Sequence, residues 1–87
     1  MQPRQPQEDV PWDTILRILC QDLQSRLDFC RCMEEDMQDS AERARIRPCL
    51  DEFLTSALTA ERSLRLFLSR RNVTKPEQEV LDYLNRP

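Results

Sequence analysis

Glycine and histidine are both missing from this 87-residue sequence. Without glycine, a phosphate-cradling loop and the tight turns that need positive φ lose their usual residue. The two-residue turns of β-hairpins suffer most, which argues against a sheet. Without histidine, the commonest general acid–base group is gone, and most zinc sites lose a ligand. No apolar run approaches the ~20 residues of a membrane-spanning helix. Lysine is nearly absent too, since 12 of the 13 basic residues are arginine. Together these gaps point to an all-helical chain and away from an enzyme.

What remains is short, charged and close to neutral. Thirteen basic and 16 acidic residues leave a formal charge of −3, so non-specific binding to nucleic acid is not expected. The charge is uneven. Residues 1–39 hold nine acids and four bases, and residues 40–87 hold seven acids and nine bases. Halves of opposite tendency suit an antiparallel helical hairpin or pairing with another chain. A chain of this size buries only about 60–65% of its unfolded surface, so its stability benefits from disulfides, a metal or a partner.

Residues 1–10, with Pro3 and Pro6 among Gln, Arg and Glu, read as a disordered tail, and residues 11–87 as a single helical domain. This polar start resembles neither a signal peptide nor a transit peptide. Pro11 suits a first helical turn, and Asp9 or Asp13 complements that positive end. From there Trp12, Leu16, Leu19, Leu23, Cys30, Met33 and Met37 recur at spacings of three, four and seven, with Arg26 interrupting and Leu27 beside it. A break is expected within residues 38–48. Asp39-Ser40-Ala41-Glu42 reads as a capping box that starts a helix at 40, and Pro48 as the alternative stop. The next helix is expected from about Pro48 to Arg71, on a heptad seam of Ile46, Leu50, Phe53, Ala57, Ala60, Leu64 and Phe67. Leu54, Leu58 and Leu68 form a second line. Asn72-Val73 reads as a turn and Thr74 as the cap of a short third helix, with Pro76 in its first turn and Val80, Leu81, Tyr83 and Leu84 as its apolar face.

The four cysteines are Cys20, Cys30, Cys32 and Cys49. Cys20 and Cys30, separated by nine residues, resemble half of the paired-cysteine helical hairpins of the mitochondrial intermembrane space. The other half is missing, because only Cys49 follows in the second helix. That resemblance implies a small disulfide-containing hairpin protein of that compartment. Cys32 and Cys49 flank a turn near residues 40–41 at equal distances, and they would bridge only with Cα atoms within ~7 Å. The simpler expectation is four reduced thiols, with Cys30 and Cys49 as small core residues. Cys30-x-Cys32 is too close for the usual zinc spacing.

Other motifs carry little chemistry. Glu34-Glu35-Asp36 and Asp39 suit a solvated face or an ionic match to Arg43, Arg45 and Arg47, rather than an acid–base pair. Asn72-Val73-Thr74 fits a glycosylation sequon, idle without a secretory signal. Ile15-Leu16-Arg17-Ile18-Leu19 and Leu64-Arg65-Leu66-Phe67-Leu68 resemble the hydrophobic boxes that coregulators seat in a groove, but such strings are common in any amphipathic helix and core packing is the default reading.

The expected fold is all-α, a hairpin of two long amphipathic helices plus a short C-terminal helix in a coiled-coil-like bundle. The first helix is apolar nearly all round at its start and the second at its end. A two-helix contact buries one stripe of each, and the third helix covers part of the surplus. The remainder predicts a protein partner, a second copy or another subunit. The expected interface residues are Trp12, Leu16, Leu19, Leu23, Phe53, Leu64, Phe67, Leu68, Leu81 and Leu84. No catalytic residue, cofactor or metal is expected. The location is expected to be intracellular, in cytoplasm or nucleus, with the mitochondrial intermembrane space as the alternative.

Overall fold

A computed structural model describes residues 10–86. The expected tail falls almost wholly outside the described residues. Three helices follow one another: α1 (Trp12–Asp36), α2 (Ser40–Phe67) and α3 (Lys75–Leu84). The two long helices pack together, and the short third lies against both, as the sequence led us to expect.

Pro11 occupies the N-cap of α1 and Asp13 lies in its first turn. A proline costs nothing there, because its missing N–H would have no intrahelical acceptor. α1 ends after Glu34-Glu35-Asp36, with no basic residue in its last turn. Three carboxylates at the negative end of a helix oppose its dipole, which favours stopping there. Met37 is extended, and the Asp39 side chain accepts from the Ala41 N–H at 2.9 Å to cap α2.

The break therefore lies at residues 37–39, at the early edge of the expected window. The start expected near Pro48 is corrected, since Pro48 is the ninth residue of α2 and exposed. The Asp39 cap outweighs the proline, whose ring removes one hydrogen bond from a long, otherwise continuous helix. The expected end at Arg71 is also corrected, to Phe67. There Ser69 takes φ 58°. Its N–H donates to Leu66 O, and the Arg70 N–H donates to Arg65 O, both at 2.9 Å. This is a Schellman ending, with serine at the left-handed position where glycine is usual. α3 is capped by Thr74, whose hydroxyl accepts from the Glu77 N–H at 3.3 Å, and Pro76 sits in its first turn.

The core is built from Leu23, Leu27, Cys30, Leu50, Leu54, Ala57, Leu58, Val80 and Tyr83, with Met33, Ile46, Leu81 and Leu84 packed against it. This corrects the phase of the α2 seam, while the α1 seam holds and gains Leu27. On α2 the buried line runs Leu50, Leu54, Ala57, Leu58, Glu61, Arg65, whereas Phe53, Ala60 and Phe67 are exposed. On α1 it runs Leu16, Leu23, Leu27, Cys30, and Leu19 is only half-buried. Leu54 and Leu27, read as flanking residues, are fully buried. All four cysteines are free thiols, and Cys49 is exposed rather than a core residue. Cys30 is buried as expected, its thiol directed at Leu50 O at 3.9 Å.

Candidate interaction surface

Two polar clusters fasten α3 to one flank of the hairpin. The inner one joins Glu61, Arg65 and Glu77, all nearly inaccessible to solvent. Arg65 is four residues beyond Glu61, so both side chains rise from one face of α2. Its Nη2 donates to Glu77 Oε1 at 3.2 Å, and its Nε lies 3.1 Å from Glu77 Oε2 and 3.8 Å from Glu61 Oε1. Nη1 donates to Arg70 O at 2.8 Å, so the same guanidinium also holds the α2–α3 turn. The Thr74 hydroxyl donates to Glu61 Oε1 at 3.3 Å, and the Cys20 thiol points at the same oxygen at 3.9 Å. Arg62 approaches Glu77 from the solvent side at 3.7 Å. Burial pushes the Glu61 carboxyl above the usual glutamate range, and the nearby Glu77 charge adds to this while Arg65 opposes it. Burial likewise raises the Cys20 thiol, with Thr74 opposing, which keeps it protonated and a weak nucleophile.

The outer cluster closes the other end of α3. Arg86 Nη2 donates to Glu34 Oε1 at 2.7 Å, its Nη1 lies 3.5 Å from Asp51 Oδ1, and its guanidinium stacks 3.8 Å from the Tyr83 ring centroid. Arg47 Nη2 donates to the Arg86 carbonyl at 2.9 Å. Burial, then the Glu34 carboxylate, raises the Tyr83 phenol well above its ordinary value.

Among the described residues no helix lies on the opposite flank. At about 100° of rotation per residue, Cys20 and Glu34 on α1 and Asp51, Glu61 and Arg65 on α2 turn toward α3. Ile15, Leu19, Asp22, Arg26, Phe29 and Met33 share the other side of α1, at spacings of four, three, four, three, four. Beside them on α2 stand Ile46, Phe53, Ser56, Ala60, Leu64 and Phe67. Contacts between the helices confirm that the two rows adjoin. The Phe29 and Phe53 rings meet edge-on at 5.7 Å, and the Trp12 and Phe67 rings at 5.4 Å. The Arg26 guanidinium lies 4.4 Å from the Phe53 centroid and donates to Phe53 O at 3.1 Å. Arg26 Nε also pairs with Asp22 Oδ2 at 3.0 Å. The aromatic rings remain open to water, with Phe67 60%, Phe29 51% and Phe53 37% exposed.

Of the expected interface residues, Trp12, Phe53, Leu64 and Phe67 come together on this open face, and Leu19 lies beside them. Leu16 and Leu23 are buried within the hairpin, and Leu81 and Leu84 face the core from α3. Leu68, half-buried, follows the last turn of α2. Sequence reading passed over Ile15, Asp22 and Phe29 as interface residues and took Arg26 for an interruption. The signal was present, because these residues complete a six-member heptad row beside the one that forms the core. It also passed over Glu61, Arg65 and Glu77. The signal there was the glutamate–arginine spacing of four, falling in phase with Leu50, Leu54 and Leu58.

Among the described residues no three metal-ligating side chains gather around one point, and no helix is long and apolar enough to cross a membrane. Comparison with protein families, with curated proteins and with solved structures finds no match for this chain.

Proposed function

We propose that this chain is a non-enzymatic interaction subunit, a small helical bundle that assembles with other protein through its open two-helix face. The carrying observation is the pair of aromatic contacts, Trp12–Phe67 and Phe29–Phe53, whose three phenylalanine rings stay exposed on the flank that α3 does not cover. Large apolar side chains left exposed together on one face of a small domain mark an interaction site. Aromatic rings and a stacked arginine are the side chains that dominate interface energetics. The two flanks divide the work. The buried ionic clusters hold the bundle together on one side, and the aromatic row offers area on the other. Four free thiols, one of them buried, suit a reducing compartment such as cytoplasm or nucleus.

The test is the native size of the assembly in cell extract. The wild-type chain is expected to travel in a species clearly larger than its 10.4 kDa monomer. Phe53→Ser with Phe67→Ser, both at exposed positions, is expected to return it to monomer size with its helical content unchanged. A wild-type chain that travels as a monomer overturns the proposal.

A further inference from the structure

The open face carries a charge pattern that says what covers it. Its α1 row reads Ile15, Leu19, Asp22, Arg26, Phe29, Met33. Reversed about a point level with residue 24, it becomes apolar, apolar, base, acid, apolar, apolar. A second α1 running antiparallel over that point therefore sets Asp22 against Arg26, Leu19 against Phe29 and Ile15 against Met33. The centre of the row is also level with the centre of the α2 row. Trp12 meets Phe67, Phe29 meets Phe53 and Cys20 meets Glu61 across the hairpin, which places residue 24 beside positions 56–57. The same two-fold axis then sets Phe53 over Ala60, large over small, and Ile46 over Phe67 on stacked α2 helices. Asp22 and Arg26 are half-exposed and already paired at 3.0 Å, so both are positioned to form a four-charge ring.

We infer that the occupant of the open face is a second copy of this chain, stacked in a two-fold antiparallel four-helix arrangement whose register is set by reciprocal Asp22–Arg26 pairs. This rests on the proposed role of that face and names its partner. Area supports it. The row from Trp12 to Met33 is about 33 Å long, and two packed helices are roughly 20 Å wide. The footprint is on the order of 650 Å² per chain, near the ~800 Å² per partner of a standard stable interface. An isologous contact needs such self-complementarity, and a polar pair within an apolar seam is a known means of fixing register.

The experiment is analytical ultracentrifugation of the purified full chain with two single variants and their mixture. The wild type is expected to be a dimer at micromolar concentration. Asp22→Arg sets four arginines together and Arg26→Asp sets four aspartates together. Each is expected to weaken dimerisation roughly a hundredfold, because like charges brought together cost several kcal/mol. Mixed one to one, the two variants restore both ion pairs and are expected to form a heterodimer. The double variant, Asp22→Arg with Arg26→Asp, is expected to dimerise again. Circular dichroism of each variant checks that its helices persist. Single variants that dimerise as tightly as the wild type, or a mixture that stays monomeric, overturn the register and the inference. A purified wild-type chain that stays monomeric at ~100 µM overturns the second copy as occupant. A larger native species in extract would then assign the face to a different protein, so the two proposals fail separately.

Discussion

Replacing Arg65 by methionine at neutral pH tests what holds α3 in place. The change leaves Glu61 and Glu77, both with almost no solvent access, facing each other without the cation between them. Breaking a buried pair by removing one partner typically costs about 3–5 kcal/mol. The substitution also frees Arg70 O, which accepts from Arg65 Nη1 at 2.8 Å. A domain of this size has a total stability of roughly 4–13 kcal/mol, so the loss is a large part of the whole. The melting temperature is expected to fall by about 12–40 °C, at roughly 4–8 °C per kcal/mol for a chain of this length. The assay is thermal unfolding by circular dichroism, repeated across pH. The folded Glu61 carboxyl is held above its unfolded value, so the folded state retains a proton that the unfolded state releases first. Glu61 therefore subtracts stability as pH rises from the ordinary glutamate value through its raised folded value, and returns it as pH falls. Arg65 opposes that rise. Its removal should widen the window and steepen the loss with pH. Substituting Glu61, Arg65 and Glu77 together with leucine, methionine and leucine should restore or exceed wild-type stability, because no buried charge is left. An Arg65→Met variant melting within ~3 °C of wild type, with the same pH dependence, refutes the reasoning.

Other substitutions probe single features. Ser69→Gly relieves a left-handed serine at φ 58° and should raise stability by about 1 kcal/mol, seen as a higher denaturation midpoint at unchanged slope. Pro48→Ala restores a backbone donor inside α2 and should stabilise by about 2 kcal/mol by the same measurement. No gain there would mean that the helix does not run through residue 48. Thr74→Ala removes the α3 cap and the hydroxyl bonded to Glu61, at a cost of about 1 kcal/mol. Hydrogen exchange should show the added opening concentrated in α3.

Much of the fold was legible because its signals are local. Asp39, Thr74 and Pro76 mark helix starts by what their side chains or rings do to the nearest backbone groups. The two long apolar patterns then demand packing partners. Pro48 misled because its local preference is real but smaller than the summed hydrogen bonds and buried leucines of a 28-residue helix. The phase of the α2 seam was lost for a different reason. Each long helix carries two adjoining heptad rows, and either one alone looks like a core. Only α3 decides between them, by covering one flank. Its choice depends on Arg65 finding Glu77, a pairing 12 residues apart that periodicity does not reveal. The exposed aromatic row was partly visible, in Trp12, Phe53, Leu64 and Phe67, while Phe29 and Ile15 were hidden by their place beside the row first taken as the seam.

The central claim is that the flank opposite α3 is covered by protein when the chain works. Covalent footprinting of the native assembly in cell extract, read residue by residue by mass, tests it most directly. Leu66 and Val73 are exposed apolar residues elsewhere on the molecule, at 55% and 47%, and serve as internal references. Phe29, Phe53 and Phe67 are expected to label far less in the assembly than in the isolated monomer, while Leu66 and Val73 label equally in both. Equal labelling of all five in the two states would contradict the account.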